Sequence, residues 1–273
     1  PNLIIKKKYI SSEWDSFELI LEDFLKNECR TFTQPSSACL AVAGPVSNNN
    51  AKIINLSWNI SGKALKNKFN FESCELINDF AVQIYGIPFL KKNQFSTIQN
   101  GSKSEVANQD LHAIVGAGTG LGIARGIISG SKVTILASEG GHAEYSPKSK
   151  SEWELKIWLK NSLNVERISC ERIISGTGLS RIAQWRLSKP DAENHPLQKY
   201  LKGIKISDAL RKELPEKICS LSNKGDQLMI EVERIWLGAY ASLLGDIALQ
   251  ELCFGGLWIS GGTAPKHFKN FKS

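Results

Sequence analysis

Apolar positions along the chain alternate between short continuous runs and stretches with helical spacing. The continuous runs, which are typical of buried strands, lie at residues 39–43, 52–56, 75–77, 112–115, 121–128 and 256–259. The helical spacing, with apolar residues recurring every three or four positions, lies at residues 12–25, 80–85, 152–161, 179–185 and 227–252. Strands that alternate with helices in this way predict an α/β protein.

The polar segment 88–109 suggests how the chain is divided. It begins at Pro88 and carries no regular apolar pattern, which is typical of a boundary between compact units. We therefore predict a smaller α/β lobe at 1–89 and a larger one at 90–273.

Glycine follows a strand run at Gly44, Gly116 and Gly261, but the unequal spacing excludes a solenoid or propeller.

Composition and charge narrow the function classes. Hydrophobic residues make up 42% of the chain, and no apolar run approaches the ~20 residues that cross a bilayer. The 34 Lys and Arg residues exceed the 27 Asp and Glu residues, giving a net charge of +7. These cations are dispersed, which disfavours nucleic-acid binding and suits an anionic small ligand such as a nucleotide. The six cysteines form no C-x-x-C pair, which disfavours a zinc site and predicts a reduced, cytoplasmic protein.

Glycine-rich segments are candidates for binding phosphates. Gly116, Gly118, Gly120 and Gly122 occupy alternate positions, and Thr119 adds a hydroxyl. The segment lacks the spacing of a dinucleotide-binding fingerprint and the lysine of a P-loop. It is therefore either a phosphate-binding loop of another kind, with its N–H groups facing an anion, or a hairpin turn. Gly261 and Gly262 similarly predict either a surface for a flat ring or a strand-to-helix turn.

Polar residues after two other segments are candidates for catalysis and ligand binding. Asp79 follows a buried strand, where its carboxylate can act as a general base or cap the next helix; Asn78 can orient a substrate hydroxyl. Glu139 and His142 flank two glycines, a spacing that suits a polyhydroxy ligand or a structural turn. Glu171, taken alone, predicts an exposed charge or a partner for its neighbour Arg172.

Seven segments, in this order and across nearly the whole chain, closely resemble the bacterial ATP-dependent glucokinase family of the actin-like sugar-kinase superfamily. They are Ala43-Gly44-Pro45-Val46; Asn55-Leu56-Ser57-Trp58; Leu76-Ile77-Asn78-Asp79-Phe80 with Tyr85-Gly86-Ile87-Pro88; Gly116 to Gly122; Glu139-Gly140-Gly141-His142 with Tyr145-Ser146-Pro147; Glu171-Arg172-Ile173-Ile174-Ser175-Gly176; and Gly261-Gly262-Thr263-Ala264-Pro265. The zinc-bearing cysteine motif and the DNA-binding helix-turn-helix of the related ROK group are not found in this sequence.

The resemblance implies a two-lobed, actin-like fold with a cleft and an enzyme of glycolysis that phosphorylates glucose at the 6-hydroxyl with ATP and Mg²⁺. It implies Asp79 as catalytic base and a cytoplasmic enzyme, with a homodimer as the family expectation and no nucleic-acid or membrane partner. Mg²⁺ is expected to bind mainly through ATP. The implied sugar ligands are Asn78, Asp79, Glu139, His142 and Glu171, and the implied nucleotide ligands are Gly116, Gly118, Thr119, Gly120, Gly261 and Gly262.

Departures from the family pattern leave alternatives open. The family begins with a strand and an Asp-x-Gly-Gly-Thr phosphate loop and continues with helices beyond Pro265, so we expect a chain truncated at both ends, with weak or no activity. Ile54 replaces a threonine usual in the family. A non-catalytic sugar-binding or regulatory protein on the same scaffold is the alternative function, and a nucleotide-binding oxidoreductase is a more distant one. Other hexoses, and ADP or polyphosphate as donor, are compatible with the same motifs.

Overall fold

A computed structural model describes residues 3–53, 56–101, 110–136, 138–201 and 213–263. The chain forms two compact units, Pro1–Gln83 and Ile84–Ser273. The division between them falls inside the short helix that precedes Pro88, slightly before the polar segment where we expected it. Ile54, which replaces a threonine usual in the family, lies outside the described residues, as do Ala264 and Pro265 at the end of the last motif.

The first unit contains two small sheets. Its strands are β1 (Ser37–Val42), β2 (Val46–Ser47), β3 (Asn50–Ile53), β4 (Trp58–Ser61) and β5 (Ser73–Asn78). β1 and β5 pair in parallel, with Val42 opposite Asn78, whereas β2, β3 and β4 form an antiparallel sheet in that order. Because β1 and β5 run in the same direction, their carboxyl ends share one edge. The predicted strands at 39–43 and 75–77 are thus confirmed.

Two helices cover the sheets of the first unit. They are α1 (Phe17–Asp23) and α2 (Gly62–Phe69). The helix predicted at residues 12–25 begins later, at Phe17, because Ser16 caps α1 by accepting the Leu19 N–H at 3.3 Å. After Asp23 the helix continues as a wider π-helical segment, so the predicted apolar face is kept. Ile20 packs in the core of this unit with Leu65 of α2.

The segment 80–85 is half turn and half helix, so the prediction of a helix there is confirmed for residues 83–85 and wrong for residues 80–82. Residues 80–82 form turns, and only Gln83–Gly86 is helical (α3), followed by a 3-10 turn at Ile87–Phe89. The Val82 N–H bonds to the Asn78 carbonyl at 3.0 Å. Asn78 therefore begins a compact turn, and helical bonding is limited to a single short helix before Pro88.

A four-stranded sheet forms the base of the second unit, in the order β8-β7-β6-β9. Its strands are β6 (Leu111–Ala117), β7 (Leu121–Ser129), β8 (Lys132–Leu136) and β9 (Gly256–Ser260). β6 and β7 are antiparallel neighbours, while β6 and β9 are parallel, with Gly116 opposite Ser260. The glycine segments that follow β6 and β9 consequently leave the sheet at the same edge.

Helices pack against this sheet and supply most of its core. They are α4 (Lys150–Leu163), α5 (Gly176–Leu187), α6 (Gln198–Leu201), α7 (Leu214–Asn223) and α8 (Gln227–Glu251). The long helix α8 is buried along one side, where Trp236 and Tyr240 have no solvent exposure. The predicted helices at 152–161, 179–185 and 227–252 are confirmed. Among the described helices, none combines the length and the apolar character needed to cross a bilayer.

His112 is a half-buried titratable group in the sheet of the second unit. Burial lowers its pKa below the ordinary value, partly offset by Asp110, and its Nδ1 accepts the Trp258 indole N–H at 3.1 Å. The folded chain therefore resists protonation that the unfolded chain accepts. Stability is retained above the unfolded pKa of about 6.5 and is lost as the pH falls from there towards the folded pKa.

We expect His112→Gln, which retains an acceptor for Trp258, to lose less stability than the parent between pH 7.5 and pH 5. Urea unfolding at both pH values measures this difference. Equal losses of unfolding free energy in the parent and the variant would contradict it.

Candidate functional site

Asn78 and Asp79 lie at the carboxyl edge of the β1–β5 pair, where open α/β sheets bind ligands. The Asn78 side-chain amide donates to the Gly44 carbonyl at 3.0 Å, and the Asp79 backbone N–H donates to the Val42 carbonyl at 2.9 Å. Gly44 adopts a φ of 127°, which a side chain would strain. This edge is therefore fixed by bonds between the ends of the two strands.

The turn after β5 is capped by Asn78, not by Asp79. Asn78 Oδ1 accepts the N–H groups of Phe80 and Ala81, each at 3.0 Å. The capping interpretation of Asp79 is therefore wrong. Asp79 is exposed, and no described residue of the first unit bonds to its carboxylate. A carboxylate without a structural partner can accept a proton from a ligand.

The segment Gly116–Gly122 is a tight hairpin joining β6 to β7. Ala117 pairs with Leu121, and the Gly118 N–H donates to the Gly120 carbonyl at 2.8 Å. The hairpin interpretation is therefore correct, and a hairpin with glycines at its tip can still present N–H groups to an anion. We call residues 118–120 the glycine hairpin.

The glycine hairpin is attached to the beginning of α5. The Gly176 N–H donates to the Gly118 carbonyl at 2.8 Å, and the Thr177 hydroxyl donates to the Thr119 carbonyl at 3.3 Å. Two bonds to the amino-terminal turn of a helix hold the tip of the hairpin in place. The sequence analysis did not identify Gly176 and Thr177 as residues that hold the hairpin. The available signal was the N-cap serine followed by Gly176-Thr177-Gly178.

Gly261 and Gly262 leave the sheet beside this hairpin. Gly261 has a φ of 89°, and a Cβ atom there would lie 2.5 Å from the Ala117 carbonyl oxygen. The Thr263 hydroxyl and N–H both bond to that carbonyl. The close approach explains why glycine occupies position 261. The two glycine-rich segments predicted to bind the nucleotide are thus adjacent in the second unit.

Glu139 precedes a single 3-10 turn, Gly140–His142, and His142 is the last residue of that turn. Both side chains are more than half exposed, and His142 Nε2 lies 3.8 Å from Glu139 Oε2. At this distance the two groups interact weakly, so both can bond to a ligand. Gly141 is buried, and a Cβ atom on it would lie 2.2 Å from the Leu121 carbonyl oxygen. The turn therefore packs directly on the residue that follows the glycine hairpin.

Glu171 lies against the glycine hairpin, so its interpretation as an exposed charge or a partner for Arg172 is wrong. Its side chain is half-buried, and Oε2 accepts the Leu121 N–H at 3.1 Å. The backbone of Glu171 is also fixed, because its carbonyl accepts the Ser175 hydroxyl at 2.7 Å. Sequence reasoning missed this placement because fifty residues separate the two bonding partners.

A short antiparallel contact connects the turn at 139–142 with the segment that carries Glu171. The Cys170 N–H donates to the Ala143 carbonyl, and the Tyr145 N–H donates to the Ile168 carbonyl, each at 2.8 Å. The Tyr145 hydroxyl in turn bonds to Glu152 of α4 at 2.5 Å, and burial raises the pKa of Tyr145. Glu139, His142 and Glu171 thus belong to one connected part of the second unit.

The described residues contain no group of three or more His, Cys, Asp or Glu side chains arranged to hold a metal ion. Glu144, which follows His142 by two positions, is instead paired with Lys156 at 2.8 Å. That lysine lowers the pKa of Glu144.

Substitution of Gly141 tests how the turn at 139–142 is positioned. In Gly141→Ala the methyl group meets the Leu121 backbone, which cannot yield as a side chain can, so we expect a loss of about 1–3 kcal/mol in unfolding free energy. Gly140→Ala is the matched control, because its Cβ would meet only side-chain atoms of Ile123 and Ser138 at 3.3 Å. Urea denaturation compares the two. Equal stability of both variants would show that the close packing of Gly141 is not required.

Comparison of the sequence with known proteins identifies a matching family and similar proteins. The family described as Glucokinase matches residues 2–273. A curated glucokinase from Synechocystis is 33% identical over 275 residues, covering 97% of this chain and 77% of the relative. A glucokinase from Nostoc is 32% identical over 268 residues, covering 96% and 77%. The chain thus spans about three quarters of the length of these relatives.

A solved structure shows the same similarity in three dimensions. The crystal structure of a glucokinase from an Antarctic psychrotroph matches with a TM-score of 0.73 and 27% sequence identity, covering 97% of this chain and 75% of that one. The predicted α/β fold of the actin-like, two-lobed class is confirmed by this match.

Proposed function

The chain belongs to the glucokinase family of ATP-dependent hexose kinases, and on this basis we propose that it transfers the γ-phosphoryl group of ATP to the 6-hydroxyl of glucose, with Asp79 as general base. The observation that carries the catalytic assignment is the division of roles at the end of β5. Asn78 makes the structural bonds, which leaves the exposed Asp79 carboxylate available for chemistry.

We assign the binding of glucose to Asn78, Glu139, His142 and Glu171 together with Asp79. Asn78 Oδ1 already accepts two hydrogen bonds and its Nδ2 makes one, so it offers the sugar a single N–H. Glu139 and Glu171 supply acceptors, and His142 supplies a ring nitrogen. Glu171 retains its second oxygen, because only Oε2 bonds to Leu121. Such fixed polar groups distinguish sugars by the positions of their hydroxyls.

We assign the nucleotide to the glycine-rich segments of the second unit. Thr119 and Gly120 would present backbone N–H groups and the Thr119 hydroxyl to the phosphates, and the nearby amino end of α5 adds a favourable dipole. Gly116 is buried within β6, and the Gly118 N–H is already donated to the Gly120 carbonyl, so these two glycines shape the segment and do not donate to the ligand. Gly261 and Gly262 would lie against the adenosine, since a Cβ atom on Gly262 would meet no atom within 4 Å and the space beside it is open to a ring. Mg²⁺ usually binds through substrate phosphates and waters, with few protein carboxylates. Bound in this way, Mg²⁺ would neutralise charge on the phosphates.

The proposed reaction requires only glucose, ATP and the Asp79 carboxylate as reactants. The Asp79 carboxylate accepts the proton of the sugar 6-hydroxyl as that oxygen bonds to the γ-phosphorus of ATP. The bond from the γ-phosphorus to the bridging oxygen breaks, and ADP leaves with the electron pair. The N–H groups of Thr119 and Gly120 in the glycine hairpin stabilise the charge on the phosphoryl oxygens. Fixed positions and charge stabilisation provide most of the acceleration in such transfers.

A coupled assay on the full-length protein tests the proposal. ATP, MgCl₂ and a panel of hexoses are supplied, and ADP and glucose 6-phosphate are both measured; polyphosphate and ADP replace ATP in parallel reactions. We expect one glucose 6-phosphate for each ATP consumed. Glucose binding without consumption of any donor would instead support a non-catalytic sugar-binding protein, and would contradict the proposed transfer.

A further inference from the structure

We propose that Gly120 is a positioning residue of the sugar site, although it lies in the segment assigned to the phosphates. The inference rests on the proposed function, because it concerns the sugar ligand Glu171. The absence of a side chain at position 120 allows the Glu171 carboxylate to lie on the glycine hairpin and accept the Leu121 N–H. That bond orients the remaining carboxylate oxygen for a sugar hydroxyl.

The steric evidence distinguishes Gly120 from its neighbour in the same turn. A Cβ atom on Gly120 would lie 2.5 Å from Glu171 Oε2 and 3.3 Å from Glu171 Cδ. A Cβ atom on Gly118 would meet no atom within 4 Å. Neither glycine has a positive φ, so alanine is compatible with the backbone at both positions. Only substitution of Gly120 therefore creates a conflict, and that conflict is with Glu171.

The hairpin cannot easily move away from Glu171. Its tip is held by the bonds from Gly176 and Thr177 to the carbonyls of Gly118 and Thr119, and by the cross-strand bond between Gly118 and Gly120. The Glu171 backbone is fixed through Ser175. The free part of the arrangement is the end of the Glu171 side chain, so an alanine at position 120 displaces the carboxylate and leaves the fold intact.

Displacement of the carboxylate changes its ability to bind sugar. An ionised carboxylate has about four acceptor positions, of which one is used by the Leu121 N–H at 3.1 Å. While that bond is present, the orientation of the carboxylate is set before the ligand arrives. Without it, the side chain must be ordered on binding, and its oxygen no longer lies where the sugar hydroxyl requires it.

The test compares Gly120→Ala with Gly118→Ala in the full-length protein. Glucose affinity is measured in the absence of nucleotide by titration of tryptophan fluorescence, so that effects on phosphate binding do not enter. We expect Gly120→Ala to weaken glucose binding about tenfold and Gly118→Ala to change it less than twofold. The urea midpoints of both variants should match that of the parent. Equal glucose affinities in the two variants would overturn the proposal.

A double-mutant cycle determines whether Gly120 acts through Glu171. In a Glu171→Ala background, Gly120→Ala should cause no further loss of glucose affinity, because the displaced carboxylate is already removed. Additive losses would show that Gly120 acts by another route and would overturn the proposal. If the parent protein binds glucose but does not phosphorylate it, the proposed phosphoryl transfer is contradicted, and the comparison of Gly120→Ala with Gly118→Ala remains valid. If the parent protein does not bind glucose, both the proposed function and the role of Gly120 are contradicted.

Discussion

Asp79→Asn should reduce kcat by about 10²–10⁴, the usual contribution of a general base, while glucose affinity changes by less than about threefold. Asparagine retains the shape of aspartate and can still bond to the sugar hydroxyl, but it cannot accept the proton. The fold should be unaffected, because Asn78 caps the turn and the structural bond made by Asp79 comes from its backbone N–H. Steady-state kinetics and glucose titration of the full-length protein measure the two effects separately.

Glu75→Gln is the matched control for this substitution. Glu75 is exposed on β5, the strand that ends in Asn78, and we assign it no role in binding or catalysis. Removal of its charge should therefore leave kcat near that of the parent. An Asp79→Asn variant with near-parental turnover would refute the assignment of the base, and an equal fall in Glu75→Gln would attribute the effect to the general loss of negative charge.

The strands that carry the site were predictable because their signals are local. A short apolar run followed directly by glycine or by Asn78-Asp79 indicates a buried strand that ends at a turn. The structure places β1, β5, β6 and β9 at such runs. Parallel pairing of β1 with β5 and of β6 with β9 brings the carboxyl ends of these strands together. The sequence pattern alone does not define which strands pair.

Two of the missed elements, α2 and β4, have few apolar residues; β8 and α7 were missed although each contains several. In α2 the only buried residues are Gly62 and Leu65, and β4 is four residues long, so neither produces a clear period. The beginning of α1 was misplaced because an apolar period predicts a helical face but not the residue that caps it. That residue is Ser16.

The roles of the polar residues were only partly predictable, because they depend on distant partners. Asp79 and Asn78 are equally able to cap a turn from their sequence, and only the bonds to Gly44, Phe80 and Ala81 show that Asn78 does so. Glu171, taken alone, predicts an exposed charge or a partner for Arg172, whereas its observed partner is the Leu121 backbone N–H. Local sequence defines which groups are available, and tertiary structure determines which are already used.

Trp236→Ala should destabilise the second unit by about 3–5 kcal/mol, the range typical of large aromatic side chains removed from a core. Trp236 is fully buried in α8, its ring packs edge-on against Tyr240 at 5.4 Å, and its indole N–H donates to the Ser175 carbonyl at 3.1 Å. Urea denaturation measures the loss. Because Ser175 also bonds to the Glu171 carbonyl, weaker glucose binding should accompany it.

Trp236→Phe separates the hydrogen bond from the packing. The Ser175 carbonyl still accepts the Leu179 N–H at 2.8 Å, so loss of the indole N–H leaves no unpaired acceptor and should cost only about 0.5–1.5 kcal/mol beyond the smaller cavity. If Trp236→Phe were as unstable as Trp236→Ala, the hydrogen bond to Ser175 and not the filled volume would be the main contribution of Trp236. If Trp236→Ala lost stability but retained parental glucose affinity, α8 would support the fold without positioning Glu171.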